Sequence, residues 1–306
     1  MTRSHSHQHE HGHTIDRDAD RRPLAIALAL ILAFMVVEVV VGILAHSLSL
    51  IADAAHMLTD AGALALSLIV IRVAQRPARG NLTFGLQRTE ILSAQANGFT
   101  LLVLAGLIVY EGISRLVSPP DTEGLPMLVV ALAGVAVNVV AVWQLSGANR
   151  HSLNVEGSFQ HLVTDLAAFI ATAIAGAVIL ATGFVRADGI TALFVAAIML
   201  RASYRLLRDS GRVLLEIAPA GMSVTEIGDA MARQAGVAEV HDLHVWEVTS
   251  GFPSLSAHVL VRPGDDCHGI REQLEDLLHA RFGIEHSTLQ VEHQRDPGRL
   301  LQIRGD

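Results

Sequence analysis

The sequence predicts an all-α bundle of six membrane spans followed by a small cytoplasmic α+β domain. Three observations carry that reading. Of 306 residues, 51% are hydrophobic and only 17% are charged, too apolar a balance for a typical soluble domain. Apolar runs of about 20 residues recur, each long enough to cross a hydrocarbon layer of roughly 30 Å. Past Arg208 the apolar density falls and the charge changes. Residues 208–306 hold 16 Asp and Glu against 9 Arg, a net of −7, which accounts for almost all of the chain's −8. An acidic soluble part argues against nucleic acid as a partner and suits cations.

The spans follow in order. The first is expected over Leu24–Ala45, the second over Leu48–Ile71, the third over Glu90–Tyr110 and the fourth over Leu125–Leu145. The fifth, Leu153–Phe184, is overlong and has a polar start. The sixth, Asp188–Leu207, contains Arg201 and Arg205, which are expected to snorkel near its end.

Arginine placement sets the orientation. Arg17, Arg21 and Arg22 precede the first span; Arg72, Arg76, Arg79 and Arg88 follow the second. Arg150 follows the fourth, and Arg201, Arg205 and Arg208 end the sixth, against only Arg115 and Arg186 on the other side. Both termini are therefore expected in the cytoplasm, in a multi-pass protein of a plasma or cell inner membrane. No cleavable signal peptide is expected, because the first 22 residues are polar and the first apolar run is long enough to span. All 22 basic residues are Arg, read as a composition bias without functional content. The single Cys267 excludes an intrachain disulfide.

Beyond the spans, 223–234 reads as a helix, 237–248 and 255–261 alternate as strands, 268–281 reads as a charged amphipathic helix and 287–293 as a last strand. That is an αββαβ domain close to a ferredoxin-like layout. The expected division is a His-rich cytoplasmic tail, 1–22, a transmembrane domain, 23–207, and a cytoplasmic regulatory domain, 208–306.

Chemistry concentrates in "SLSLIADAAHMLTDAG", residues 47–62. Asp53, His56 and Asp60 stand at i, i+3 and i+7, on one helical face. An acid there costs roughly 2.5–3.5 kcal/mol at a bilayer centre even on an insertion scale. A second H-x-x-x-D, His161 and Asp165, occurs in the fifth span. A displacement of 105 residues aligns Ser47, Leu48, His56, Thr59 and Asp60 with Ser152, Leu153, His161, Thr164 and Asp165. The two spans enter from opposite sides, and each pair lies 8 and 12 residues inside its span. At about 1.5 Å per residue, both pairs are roughly 12–18 Å deep, near the midplane.

Two His and two Asp meeting there can form a tetrahedral N2O2 shell that suits Zn2+, whereas Mg2+ and Ca2+ prefer all-oxygen shells. The alternative is a buried His–Asp hydrogen bond between helices. Asp53 is either a further acid near the site or a polar group in helix packing.

These residues resemble a known family. "SLSLIADAAHMLTD", "FGLQRTEILSAQANG", "SLNVEGSFQHLVTD" and "VHDLHVWEVTSG" are similar to the cation diffusion facilitators, in particular their zinc-transporting, bacterial-type branch, from about Leu24 to His293. The resemblance implies a six-span bundle with a cytoplasmic metallochaperone-like domain, working as a homodimer that exchanges Zn2+ for H+. It implies His56, Asp60, His161 and Asp165 as the transport ligands. His at 56 matches the zinc branch; relatives with Asp there accept a broader range of metals. It also suggests His241, His258, His286 and Glu292 as regulatory metal ligands, with His244 less clearly so. The short loop "SGANRHSLN" departs from eukaryotic relatives, many of which carry a long His-rich loop there.

Other polar residues carry two readings each. The tail "HSHQHEHGH", with His5, His7, His9, His11 and His13, either gathers cytoplasmic metal or is a polar tail of incidental affinity. His9-Glu10-x-x-His13 satisfies a zinc-protease pattern literally, but sits in a Gly-containing tail and not on a helix with a cleft. Glu90, Asn97 and Glu38 read as hydrogen-bonding groups between helices, Glu38 alternatively as a proton carrier.

The mechanism that follows is alternating access around one midplane site. Ligands must be deprotonated to hold metal, so protonation expels it. Zn2+ is the expected substrate and a candidate regulatory ion, with no organic cofactor. Alternatives are a transporter preferring Co2+, Cd2+ or another divalent metal, a metal-sensing membrane scaffold that moves no ion, and an intramembrane zinc hydrolase. The last needs an open coordination position and a general base, which a closed set of two His and two Asp does not offer.

Overall fold

A computed structural model describes residues 17–44, 48–119, 124–148 and 152–294, except the side chains of 17–20, 38, 41, 42, 44, 48–56 and 59. The expectations for the histidine tail and for the side chains of Glu38, Asp53 and His56 lie outside the described residues.

Six long helices come first: α1 Arg17–Leu44, α2 Leu48–Ala74, α3 Thr89–Val117, α4 Gly124–Ser146, α5 Leu153–Thr182 and α6 Arg186–Leu214. Among the described residues, α3 to α6 are long and apolar enough to cross a membrane; α1 and α2 have 28 and 27 residues. Each expected span is found as a helix, with shifted ends. α1 begins upstream at Arg17 and holds Pro23 inside it. The proline is the seventh residue of the helix, past the first turn, and removes one i to i−4 hydrogen bond there. α6 runs through Arg208 to Leu214, so the segment 208–214, grouped above with the cytoplasmic domain, continues the last helix. Its inner face, Ser203, Leu206, Ser210 and Val213, stays buried beyond that point. Arg201 and Arg205 are exposed on its outer face.

Polarity is arranged as a bilayer demands. Phe99, Tyr110, Trp143, Phe194 and Tyr204 stand on the outside, while Asp60, Ser67, Asn97, Asn154, Ser158, His161 and Thr164 are buried. Small residues bring helices together. A Cβ on Gly124 would meet the Gly176 carbonyl at 2.7 Å, so α4 and α5 approach backbone to backbone. α3 and α6 meet through Gly112 and Gly189 and through an ion pair of Arg115 with the buried Asp188.

The C-terminal unit has α7 Val224–Ala232, β1 Val237–Glu247, β2 Pro253–Val261, α8 Cys267–Phe282 and β3 His286–His293, the αββαβ order expected from periodicity. β1 and β2 form an antiparallel hairpin, and β2–α8–β3 is a parallel crossover. β2 and β3 are direct neighbours, so the crossover is not split by a further strand as in the ferredoxin arrangement. Ile227 and Met231 of α7 and Leu274 and Leu278 of α8 pack on Val245, Leu255, Val259 and Val261. That face forms the core. Ser256 and His258, out of phase with it, lie on the other face.

The unit is tied to the helices at their ends. Thr249 Oγ1 donates to Glu90 Oε2 at 3.0 Å, Leu153 N donates to Ser250 Oγ at 3.1 Å, and Arg88 pairs with Glu216 at 2.9 Å. Burial pushes the Glu247 carboxyl up from its usual range; the Gly251 N–H that it accepts holds it down, and the Glu90 charge adds to the rise. A cavity of about 960 Å3 lies in this junction, lined by Leu82, Phe84, Gln87, Leu243 and Trp246 among others.

Candidate metal centre

Asp60 of α2 and His161 and Asp165 of α5 converge. His161 Nε2 stands 2.8 Å from Asp60 Oδ1 and 3.8 Å from Asp165 Oδ2. One ligand atom from each of the three lies within 4.8 Å of the others, an arrangement that can hold a metal ion. Helix geometry explains it. His161 and Asp165 are i, i+4 on α5 and so share a face. Ser152 caps α5 by accepting from Val155 N, so the helix begins at a fixed residue and sets the depth of both side chains. Position 56 lies on α2 four residues before Asp60.

The surroundings are apolar. Met57, Ala61, Leu64 and Leu162, close in sequence to these residues, are buried in one apolar cluster, and Thr164 Oγ1 donates to the His161 carbonyl at 2.7 Å. His161 is 2% exposed, and the side chains of Asp60 and Asp165 are 7% and 12% exposed. Two carboxylates this close, out of water, repel each other and favour a cation between them.

The C-terminal residues divide. His241 and His258 are cross-strand partners in the β1–β2 register, with ring centroids 5.4 Å apart. His286 and Glu292 do not join them. Gln290 is the β3 residue opposite His258, and His286 is four residues back along β3, about 13 Å at the usual strand rise. The His286 ring packs instead on Phe84 and Phe252, with centroids at 5.6 and 5.9 Å. Glu292 accepts from Gln290. His244 bonds Asp242 at 2.9 Å. The position of Asp242 is set by the irregular register between His241 and His244, where its φ is +51°. The alternating pattern alone gave no sign of this.

Comparison with known proteins bears on both halves. Residues 24–215 match the description "Cation efflux transmembrane domain" and residues 219–294 match "Cation efflux protein, cytoplasmic domain". The chain belongs to the cation efflux family. Members of this family are metal-ion transporters and not enzymes, and this one is a multi-pass membrane protein. It is 39% identical over 263 residues to the zinc transporter ZitB of Escherichia coli, covering 85% of this chain and 84% of that one. It is 39% identical over 264 residues to the metal cation efflux system protein CzcD of Cupriavidus metallidurans, covering 85% and 82%. It is 34% identical over 277 residues to a "Cadmium, cobalt and zinc/H(+)-K(+) antiporter" of Bacillus velezensis, covering 88% of each. Within the family match, the triad lies in the transmembrane part and the His241–His258 pair in the cytoplasmic part.

Proposed function

We propose that this protein expels Zn2+ from the cytoplasm in exchange for H+, through a midplane site of His56, Asp60, His161 and Asp165. The observation that carries the proposal is the convergence of Asp60, His161 and Asp165 from two helices in an apolar interior. All six helices cross an inner or plasma membrane, and both termini face the cytoplasm. The histidine-rich tail, the transmembrane domain and the regulatory domain follow one another in that order, with α6 carrying the transmembrane part on to Leu214, and the protein works as a homodimer. The named activities of the zinc transporter and the antiporter among the relatives support zinc as the substrate and protons as the counter-ion. Inward-facing, the site loads Zn2+. Outward-facing, a proton on the histidines or carboxylates competes with the ion and releases it.

The relative named for cadmium and cobalt favours a second reading, in which these ions are also carried. Uptake into proteoliposomes loaded with a zinc-sensitive dye, with Cd2+ and Co2+ as competitors, decides between the two. Zinc uptake that either ion leaves untouched supports the first reading. Equal inhibition by all three supports the second, and no uptake supports a sensing scaffold.

His56 sets the choice of ion in this reading. His56→Asp replaces a nitrogen ligand with an oxygen, and the harder shell discriminates less against Mn2+ or Cd2+. Competition assays on the variant show a loosened ranking; an unchanged ranking removes His56 from the site.

The His241–His258 pair forms part of a regulatory zinc site, together with His286 and Glu292, which within one chain lie farther along β3. Metal there rigidifies the cytoplasmic domain and biases the helices toward the transporting arrangement. A His241→Ala, His258→Ala double variant keeps its maximal flux and needs more zinc to activate. Flux measured against zinc concentration checks this. Complete loss of flux would mean that the domain does more than regulate.

A further inference from the structure

The cytoplasmic end of α5 is joined to the triad by an unbroken polar stripe. Asn154, Ser158, His161 and Asp165 follow one another at steps of four, three and four residues, so they fall on one side of the helix. Asn154 and Ser158 are 0% and 1% exposed. Facing them are Ser67 of α2, seven residues beyond Asp60, and Asn97 of α3. These groups bond across three helices. Ser158 Oγ donates to Ser67 Oγ at 2.8 Å, Asn154 Nδ2 to the Ser67 carbonyl at 3.1 Å, and Asn97 Nδ2 to Ser67 Oγ at 3.4 Å. The stripe opens at Glu90, whose carboxylate accepts from Ser152 at 2.6 Å and from Thr249 of the cytoplasmic domain.

Structural hydrogen bonding alone does not account for all of this. Among the described residues, Asn154 Oδ1 and Ser93 Oγ are buried oxygens with no hydrogen-bond partner. Native interiors rarely leave such atoms unpaired. Ser93 lies one turn beyond Glu90 on α3, and Asn154 is its counterpart at the start of α5. Both are neutral oxygen acceptors, suited to a partly hydrated divalent cation passing through without being trapped.

We propose that this stripe is the cytoplasmic half of the ion route, and that the Ser67–Ser158–Asn154–Asn97 bonds are the gate that holds it shut in this conformation. The proposal rests on the triad being the transport site. When α2 and α5 part, the two bonds from Ser158 and Asn154 to Ser67 break together, Asn97 stays with Ser67 on the α2 side, and the same hydroxyls and amides face the incoming Zn2+. The stripe thus gives a hydrated ion polar partners at each turn between the domain junction and His161, where an apolar lining would impose a desolvation barrier.

The test is a Ser67→Cys, Ser158→Cys double variant in a Cys267→Ser background, reconstituted in proteoliposomes. Oxidation with diamide is expected to lock the gate and lower zinc flux at least about tenfold, as a closed route requires. Dithiothreitol restores the flux, while Zn2+ titration of the detergent-solubilised oxidised protein still shows the binding event that Asp165→Ala removes. A disulfide seen by mass spectrometry with flux undiminished overturns the gate. Independently, Asn154→Leu is expected to reduce flux about as strongly, with zinc binding retained and activity largely kept in Asn154→Ser. Wild-type flux in Asn154→Leu would mean that these residues serve helix packing alone. Absence of that Asp165-dependent zinc binding in the unmodified protein would instead strike the triad reading, which separates the two failures.

Discussion

Zinc flux falls by on the order of 100-fold or more in Asp165→Ala and in Asp60→Ala, while each protein still inserts and folds. The reason is geometric. His161 Nε2 lies 2.8 Å from Asp60 and 3.8 Å from Asp165, so one ion can touch all three side chains. Removing one carboxylate leaves an incomplete shell and takes away half of the negative charge that offsets the cost of stripping water from the ion. Asp165→Asn is the sharper variant, since it keeps volume and one oxygen but not the charge. Flux measured in vesicles of matched protein content checks all three substitutions. Near-normal flux in any of them removes the triad from the transport path.

Gly176→Leu prevents α4 from docking on α5 and leaves little folded protein. A Cβ at 176 already stands 3.0 Å from Leu128 N and 3.1 Å from the Gly124 carbonyl. These are backbone atoms and cannot swing away. Overpacking of this kind costs about 3 kcal/mol or more when helices must separate to accept it. The displaced helix is the one carrying His161 and Asp165, so the loss of stability is accompanied by loss of the site. Thermal unfolding in detergent measures the effect, and Gly176→Ala gives a smaller shift in the same direction. A wild-type midpoint for Gly176→Leu would mean that the close α4–α5 approach does not hold.

Much of this architecture was legible in the sequence because the bilayer limits the options. Apolar runs of span length become helices, and their number and order follow directly. Helix ends were less legible. α6 extends to Leu214 because its buried face, Leu206, Ser210 and Val213, continues after the apolar run stops, and the charges of Arg208, Asp209 and Arg212 mask that periodicity. The His161–Asp165 half of the triad could be read because i, i+4 spacing is a local property that survives folding. The partners of Glu90 could not. Its bonds to Ser152 and Thr249 join residues 62 and 159 positions away, and nothing local marks them. Similarly, Ser67 reads as an ordinary small residue in an apolar helix until α5 brings Asn154 and Ser158 against it. In the cytoplasmic domain, strand alternation placed His241 beside His258. The register of β3, set by the β2–α8–β3 crossover, placed Gln290 opposite His258 and left His286 at the far end against Phe84.

The most direct measurement of the central claim is coupled flux in proteoliposomes carrying a zinc dye and a pH dye, with a pH gradient imposed across the bilayer. The account predicts that zinc moves away from the face that takes up H+ least, that each zinc transient is matched by proton movement the other way, and that both signals vanish together in Asp165→Ala. Zinc transport indifferent to the gradient, or a proton signal that outlives the loss of Asp165, would contradict it.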